Sequence, residues 1–431
     1  MPTDHWRTLN FVGSVLESHE IEALRKRLRP HHESPPARVP GGASASTRAI
    51  QRRLTLLNAS TDARNVLADQ ATLETSERYQ ANIEHLIGTI KVPVGIAGPL
   101  RVNGLFASGD YYVPLATTEA ALVASYSRGA ELITEAGGCA TLTLSEGVGR
   151  APGFAFATLE DAGAFGAWAA TQFENFKQQA ALTTSHGTLT DVRTTIEGNH
   201  VYLYLEFLTG DASGQNMVTI AAEAVCRFIE ANSPVRPLYY FVEANFSGDK
   251  KASAMSFLGV RGRKVSAETL IPAELIRQRL RTTSARMVDY WRMAALGGVM
   301  SGTIGVHGHF ANGLAALYLA TGQDVAAVAE SATGVTRFET TQDGDLYAAA
   351  TLPNLIVGTV GGGTSLPSQK ACLDLMGLSG SGHARALAEV CAALCLAGEL
   401  SIMGAMCAGE FVSAHRKLAR RKRTGTDQCQ P

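Results

Sequence analysis

Residues 200–232 read HVYLYLEFLTGDASGQNMVTIAAEAVCRFIEAN, and two periodicities within this stretch decide the fold class. From 200 to 208 apolar side chains alternate with others, which predicts a strand with one face buried. From 217 to 232 the apolar residues recur every three to four positions, which predicts a helix. A glycine-bearing turn, TGDASGQN, joins them, and PLYYFVEAN at 237–245 reads as a further strand. Strand, helix and strand make a compact α/β unit with its own sheet, spanning 151–241.

The flanks have a different texture. KVPVGIAGPL at 91–100 and LFASGDYYVPL at 105–115 are short apolar runs broken by Gly and Pro, the pattern of strand, turn and strand. TTEAALVASYSRGAELITEAGG at 117–138 opens on Thr and closes on paired glycines, the pattern of a capped helix. The glycine-rich texture resumes after Lys251 and continues to about 410, so the 151–241 block reads as an insertion. Residues 1–83 are polar and helix-biased, with a loop-like HHESPPARVPGGASAS at 31–46. The basic end of the chain reads as a solvated, partly disordered terminus.

Composition narrows the function classes. In 431 residues, 38 basic and 39 acidic side chains leave a net charge of -1, so no basic field recruits nucleic acid. Hydrophobic residues at 45% are enough for a core. Seven cysteines without a CxxC pair argue against both a metal site and a disulfide framework, and point to a reducing, cytoplasmic setting. The first residues lack the layout of a signal peptide. Residues 293–323 contain no Asp, Glu, Lys or Arg but are laced with glycine, and Val390 to Cys407 is interrupted by Glu399; both read as core helices and not as membrane spans.

Chemistry is suggested at a few points. Gly210-Asp211-Ala212-Ser213-Gly214-Gln215-Asn216-Met217 links a strand to a helix N-terminus, where free N–H groups favour an anion such as pyrophosphate; a purely structural turn fits equally well. GTVGGGT at 358–364 suggests close backbone approach, and without a GK[ST] ending it is no P-loop. Glu119, Lys250, Asp324 and His415 are ionisable residues in neutral or glycine-rich surroundings. Each also has an ordinary reading as a cap, a charged turn or a structural histidine.

Taken in order, IGTIKVPVGIAGPL, TTEAALVASYSRG, GDASGQNM, GDKK, IPAELI, ALYLATGQD, LPNLIVGTVGGGT and LAGELSIMGAMCAGEFVSAH resemble the catalytic part of 3-hydroxy-3-methylglutaryl-CoA reductase, of the class shared by eukaryotes and archaea. The resemblance runs from about Glu84 to Ala419. It implies an α+β architecture: a large CoA- and substrate-binding domain from 84–150 and 251–422, an inserted ferredoxin-like cofactor domain at 151–241, and a catalytic connecting loop at 242–250. The N-terminal helical region would be 1–83, and 423–431 a disordered tail end.

The implied reaction is a four-electron, NADPH-dependent reduction of the thioester to mevalonate and free CoA. It would take place in a dimer or tetramer whose active site lies at the interface. Lys250 would donate to the carbonyl oxygen, Glu119 would supply a proton, Asp324 would tie the two together, and His415 would protonate the CoA thiolate. Ser125 and Arg128 would meet CoA phosphates, with Arg150, Asp249, Lys251 and Asn312 around the acyl group. Asp211 to Met217, with Ser185 and His186, would hold the cofactor.

Some positions depart from the family pattern. Glu243 stands where a serine normally helps hold the acyl carboxylate, so a different acyl thioester is kept open unless Glu243 pairs with Arg150. Ser185 stands where a basic residue would meet the 2'-phosphate, which keeps NADH open. Ser213 and Gln215 replace two methionines. A non-catalytic CoA-binding protein is the remaining alternative, opposed by the full catalytic set.

Overall fold

The computed structural model describes residues 36–409, together with 10, 13, 21–30 and 34. The expectations placed on His415 and on the basic tail lie outside the described residues. Two compact units divide between Thr89 and Ile90.

The first unit carries helices α1 (Ile21–Leu28), α2 (Thr47–Leu56), α3 (Thr61–Leu67) and α4 (Gln70–Glu74). Ser46, Ser60 and Asp69 cap α2, α3 and α4 by accepting backbone N–H groups. Its core is small, centred on Ala45, Ile50, Leu54, Ala68 and Leu86. The fully buried Arg53 compensates by donating to the carbonyls of Pro40, Gly42, Ser44 and Leu86, which satisfies loop backbone that would otherwise lack partners.

The second unit is built on a ten-stranded, mainly antiparallel sheet, the mixed architecture expected of an α+β chain. Strands β1 (Val94–Gly104) and β2 (Ser108–Ala116) form a hairpin leading to α5 (Leu122–Glu135). Strand β3 (Cys139–Arg150) then runs through both halves of the sheet. Its first part pairs with β1 and with β8 (Gly262–Ile271), while Val148 to Arg150 pair with β6 (His200–Leu208). Arg150 thus stands where the two halves join.

Around β6 lies a second core rich in phenylalanine, including Phe154, Phe156, Phe165, Phe176 and Phe207. Strand β4 (Gly153–Ala155) leads through α6 (Leu159–Ala169) and α7 (Phe173–Ala181) to the β5 (Thr188–Glu197) and β6 hairpin, then through α8 (Gln215–Asn232) to β7 (Tyr239–Phe241). The spatial order is β5, β6, β4, β7, antiparallel throughout, which is a split βαβ arrangement. The strand expected at 237–245 pairs only over Tyr239–Phe241, because the chain then turns toward Arg150.

The rest of the large half comprises α9 (Ala273–Leu280), α10 (Ser284–Ser301), α11 (Phe310–Thr321), α12 (Val328–Ser331), β9 (Val335–Thr340), β10 (Leu346–Leu355), α13 (Pro367–Leu375) and α14 (Ala384–Cys407). Helix α14 is apolar and long enough to cross a membrane, yet 21 of its 24 residues are buried, as a core helix requires. Its two carboxylates serve backbone. Glu389 accepts the N–H groups of Phe106, Ala107 and Thr143, and Glu399 those of Gly308 and His309. Helix α5 approaches α14 so closely that a Cβ on Gly129 would lie 1.8 Å from the Ala397 carbonyl oxygen. The helix expected to start with a cap at Thr117 begins five residues later. Thr117 Oγ1 instead accepts the Glu119 N–H, and Ala121 is left-handed at φ 71° with no capping side chain.

Candidate active site

The connecting loop carries the first group of site residues. Lys250 adopts a left-handed φ of 56°, a conformation that costs an L side chain roughly 1–2 kcal/mol. Its ammonium lies 2.9 Å from Asp324 Oδ2. Asp324 is fixed in turn, since it caps the short helical turn after α11 by accepting the Ala326 N–H at 3.0 Å. Lys251 folds its ammonium back onto the Asp249 carbonyl at 2.8 Å.

Beneath the loop is a buried charge network. Arg150 donates to Asp249 Oδ2 at 3.0 Å and more weakly to Glu243 Oε2 at 3.4 Å. Glu243 therefore does pair with Arg150, and it also accepts the Ala151 N–H at 3.2 Å. Arg261 bridges Asp249 Oδ1 at 2.8 Å and Glu330 at 2.5 Å. Burial pushes the Asp249 carboxyl up, but Arg261, Arg150 and Lys250 together outweigh it and hold the group below its ordinary value. For Glu330 burial dominates and raises the carboxyl despite Arg261. Arg261 and Glu330 escape sequence reading: each looks like an ordinary charged residue until the fold buries it.

A second group sits at the other end of α11. Asn312, in its first turn, donates to both carboxylate oxygens of Glu119 at 2.9 and 3.2 Å. Beside it, His309 is held by Glu399 through its backbone N–H and Nδ1. The Tyr126 hydroxyl donates to the His309 carbonyl at 3.1 Å. Ser125 and Arg128, on α5, converge on Ser401 of α14, with Arg128 donating to the Ser401 carbonyl at 2.7 Å.

Within one chain the residues thus form two pairs, Glu119 with Asn312 and Lys250 with Asp324. From Asn312 to Gly322, the residue that follows α11, is about 15 Å at 1.5 Å per residue. His415 lies outside the described residues.

The glycine turn supports the start of α8. Gly214 has φ 74°, and a Cβ there would strike the Thr209 side chain at 2.3 Å. Among the described residues no side chain caps this helix, so its first N–H groups are open to an anion. Met217 accepts a hydrogen bond from Thr184 at 3.0 Å, which brings exposed Ser185 and His186 beside the turn. Asn216 is exposed as well.

Three residues of the turn are engaged by protein. Asp211 accepts the N–H groups of Gly382 and Ala384 at the start of α14, and the Gln215 side chain accepts from Arg261 at 2.8 Å. Ser213 is approached by the second glycine loop, since a Cβ on Gly358 would lie 2.6 Å from its nitrogen. Arg263, another residue sequence reading missed, is buried beneath both loops and donates to the carbonyls of Gly210 and Val357.

The family model described as hydroxymethylglutaryl-coenzyme A reductase matches residues 49–420. The 3-hydroxy-3-methylglutaryl-coenzyme A reductase of Pyrococcus horikoshii is 42% identical over 358 residues, covering 81% of this chain and 86% of its own. That of Aeropyrum pernix is 42% identical over 384 residues, 88% of this chain and 90% of its own. Among solved structures, the class II 3-hydroxy-3-methylglutaryl-CoA reductase from Streptococcus pneumoniae bound to NADPH matches with a TM-score of 0.62 at 22% identity, covering 83% of this chain and 96% of that one; this likeness bears on the fold.

Proposed function

The chain belongs to the hydroxymethylglutaryl-coenzyme A reductase family, and from that premise we propose that it reduces 3-hydroxy-3-methylglutaryl-CoA with two NADPH to mevalonate and free CoA. The observation that carries the reading is the 2.9 Å ion pair of Lys250 with Asp324, on a loop that shares Arg150 and Arg261 with the glycine turn. An ammonium fixed in this way is an oxyanion donor prepared in advance.

NADPH fits the uncapped N-terminus of α8, where Gly214 holds the left-handed turn that packs against Thr209. Asn216 and Met217 would present backbone N–H groups to its phosphates, with Ser185 and His186 alongside. When bound, the cofactor supplies one hydride at each of the two reductions. Lys250 stabilises the developing oxyanion of the thioester and later of the aldehyde, and Asp324 fixes the ammonium. Glu119 delivers the proton to the reduced oxygen, and Asn312 orients its carboxyl. His415 is assigned protonation of the departing thiolate, and Ser125, Arg128 and Lys251 contacts with CoA and the acyl group.

The domains fall to these tasks as the resemblance implies: 151–241 binds cofactor, while 84–150 and 251–422 bind the thioester. Because Glu119 and Lys250 stand at opposite ends of α11, we assign the complete site to a homodimer or larger assembly in which each chain supplies one pair. Helix α10 supports this by exposing a row of Met293, Leu296, Val299 and Met300, which a second copy would cover. A cytoplasmic location is consistent with the free thiols of all six described cysteines.

The test is NADPH oxidation with this thioester and trapping of released CoA. Two NADPH oxidised per CoA is the expected stoichiometry, and no turnover with either nicotinamide contradicts the reading.

A further inference from the structure

Glu330, on α12, is fully buried, and so nearly is its partner Arg261. A buried ion pair seldom stabilises a fold more than apolar residues of the same size would, so its presence calls for another reason. The carboxylate has one more partner: Oε1 accepts the backbone N–H of Lys250 at 3.2 Å, at the residue held in left-handed backbone. Arg261 at the same time binds the carboxylate of Asp249 at 2.8 Å. One buried pair therefore grips two consecutive residues of the loop, one by its amide and one by its side chain.

We propose that Glu330 is a positioning residue for Lys250: locked by Arg261, it accepts the Lys250 N–H and fixes the left-handed turn that delivers the ammonium to Asp324. The inference rests on the reading of Lys250 as the oxyanion donor. Glu330 touches no substrate; its effect passes through the backbone of its neighbour. A donor displaced by an ångström loses much of its value to the transition state while substrate binding is little changed.

Steady-state kinetics of Glu330→Met and Glu330→Gln test this. Methionine keeps the volume and removes the acceptor, so kcat should fall roughly tenfold to a hundredfold with both KM values within about threefold. Glutamine keeps an accepting oxygen and should stay within about fivefold of the parent. Equal losses in the two variants, or a raised KM with kcat unchanged, overturns the proposal. Where Glu330→Met fails to fold, amide exchange at Lys250 in the unsubstituted protein decides: protection well beyond that of Gly248 supports the hydrogen bond, and equal exchange contradicts it. Lys250→Ala separates the two claims. Retained turnover would remove the oxyanion reading itself, whereas lost turnover beside an unimpaired Glu330→Met removes only the positioning role.

Discussion

At Arg150 two carboxylates share one guanidinium. Asp249 makes the shorter bond and Glu243 the longer, so Glu243 is the one whose removal leaves the network intact while freeing positive charge for an acyl carboxylate. Glu243→Ser should lower the KM for 3-hydroxy-3-methylglutaryl-CoA by about threefold to tenfold, since it removes a like charge near the ligand; an unchanged or higher KM contradicts the placement of the acyl group. Asp249 makes a pH prediction. Its folded value lies below the ordinary 3.8, so its ionised form stabilises the protein fully above that pH, and this contribution is lost as pH falls through the folded value. Asp249→Asn should cost stability in urea unfolding at pH 7, by a margin that narrows below about pH 4; a constant margin would argue that the shift is not there. Glu119, Lys250 and Asp324 were legible in the sequence as candidates, through neutral or glycine-rich surroundings and the motifs of the resemblance, although Lys250 sits in the charged run GDKK. Arg261 and Glu330 were not, because what distinguishes them is burial and mutual contact across the fold.

Helices α5 and α14 meet at a glycine, and two effects of opposite sign compete there. Gly→Ala in an exposed helix interior gains about 1 kcal/mol, but a Cβ 1.8 Å from the Ala397 oxygen lies far inside any contact distance and would force the helices apart, at about 1–3 kcal/mol or more. Overlap wins, so Gly129→Ala should lower the thermal midpoint and loosen the bonds of Arg128 to Ser401; a raised midpoint contradicts this packing. Element type was legible where periodicity ran long, as in β6 and α8. It failed at ends. Thr117 looked like a helix cap but spends its hydroxyl on a local turn, and the strand expected to reach 245 stops at Phe241 because Glu243 and Asn245 belong to the site loop. Helix α14 was legible as a core helix from the glutamate within its apolar run, and the structure gives the reason, since Glu399 accepts the N–H groups of Gly308 and His309 inside the fold.

For the molecule as a whole, one helix separates the Lys250–Asp324 pair from the Glu119–Asn312 pair, and the abundant glycine lets backbones close around it. The proposed active site is therefore a property of two chains, with Lys250 and Asp324 from one protomer and Glu119 and Asn312 from its partner. Mixing two inactive variants tests this most directly. Glu119→Gln and Lys250→Ala, each purified alone, should show little turnover of 3-hydroxy-3-methylglutaryl-CoA with NADPH. After subunits are exchanged, random pairing puts one intact site in half the dimers, so activity should return to about a quarter of the parent protein treated alike. A mixture as inactive as its components, under conditions where the parent exchanges subunits and stays active, would contradict the shared site.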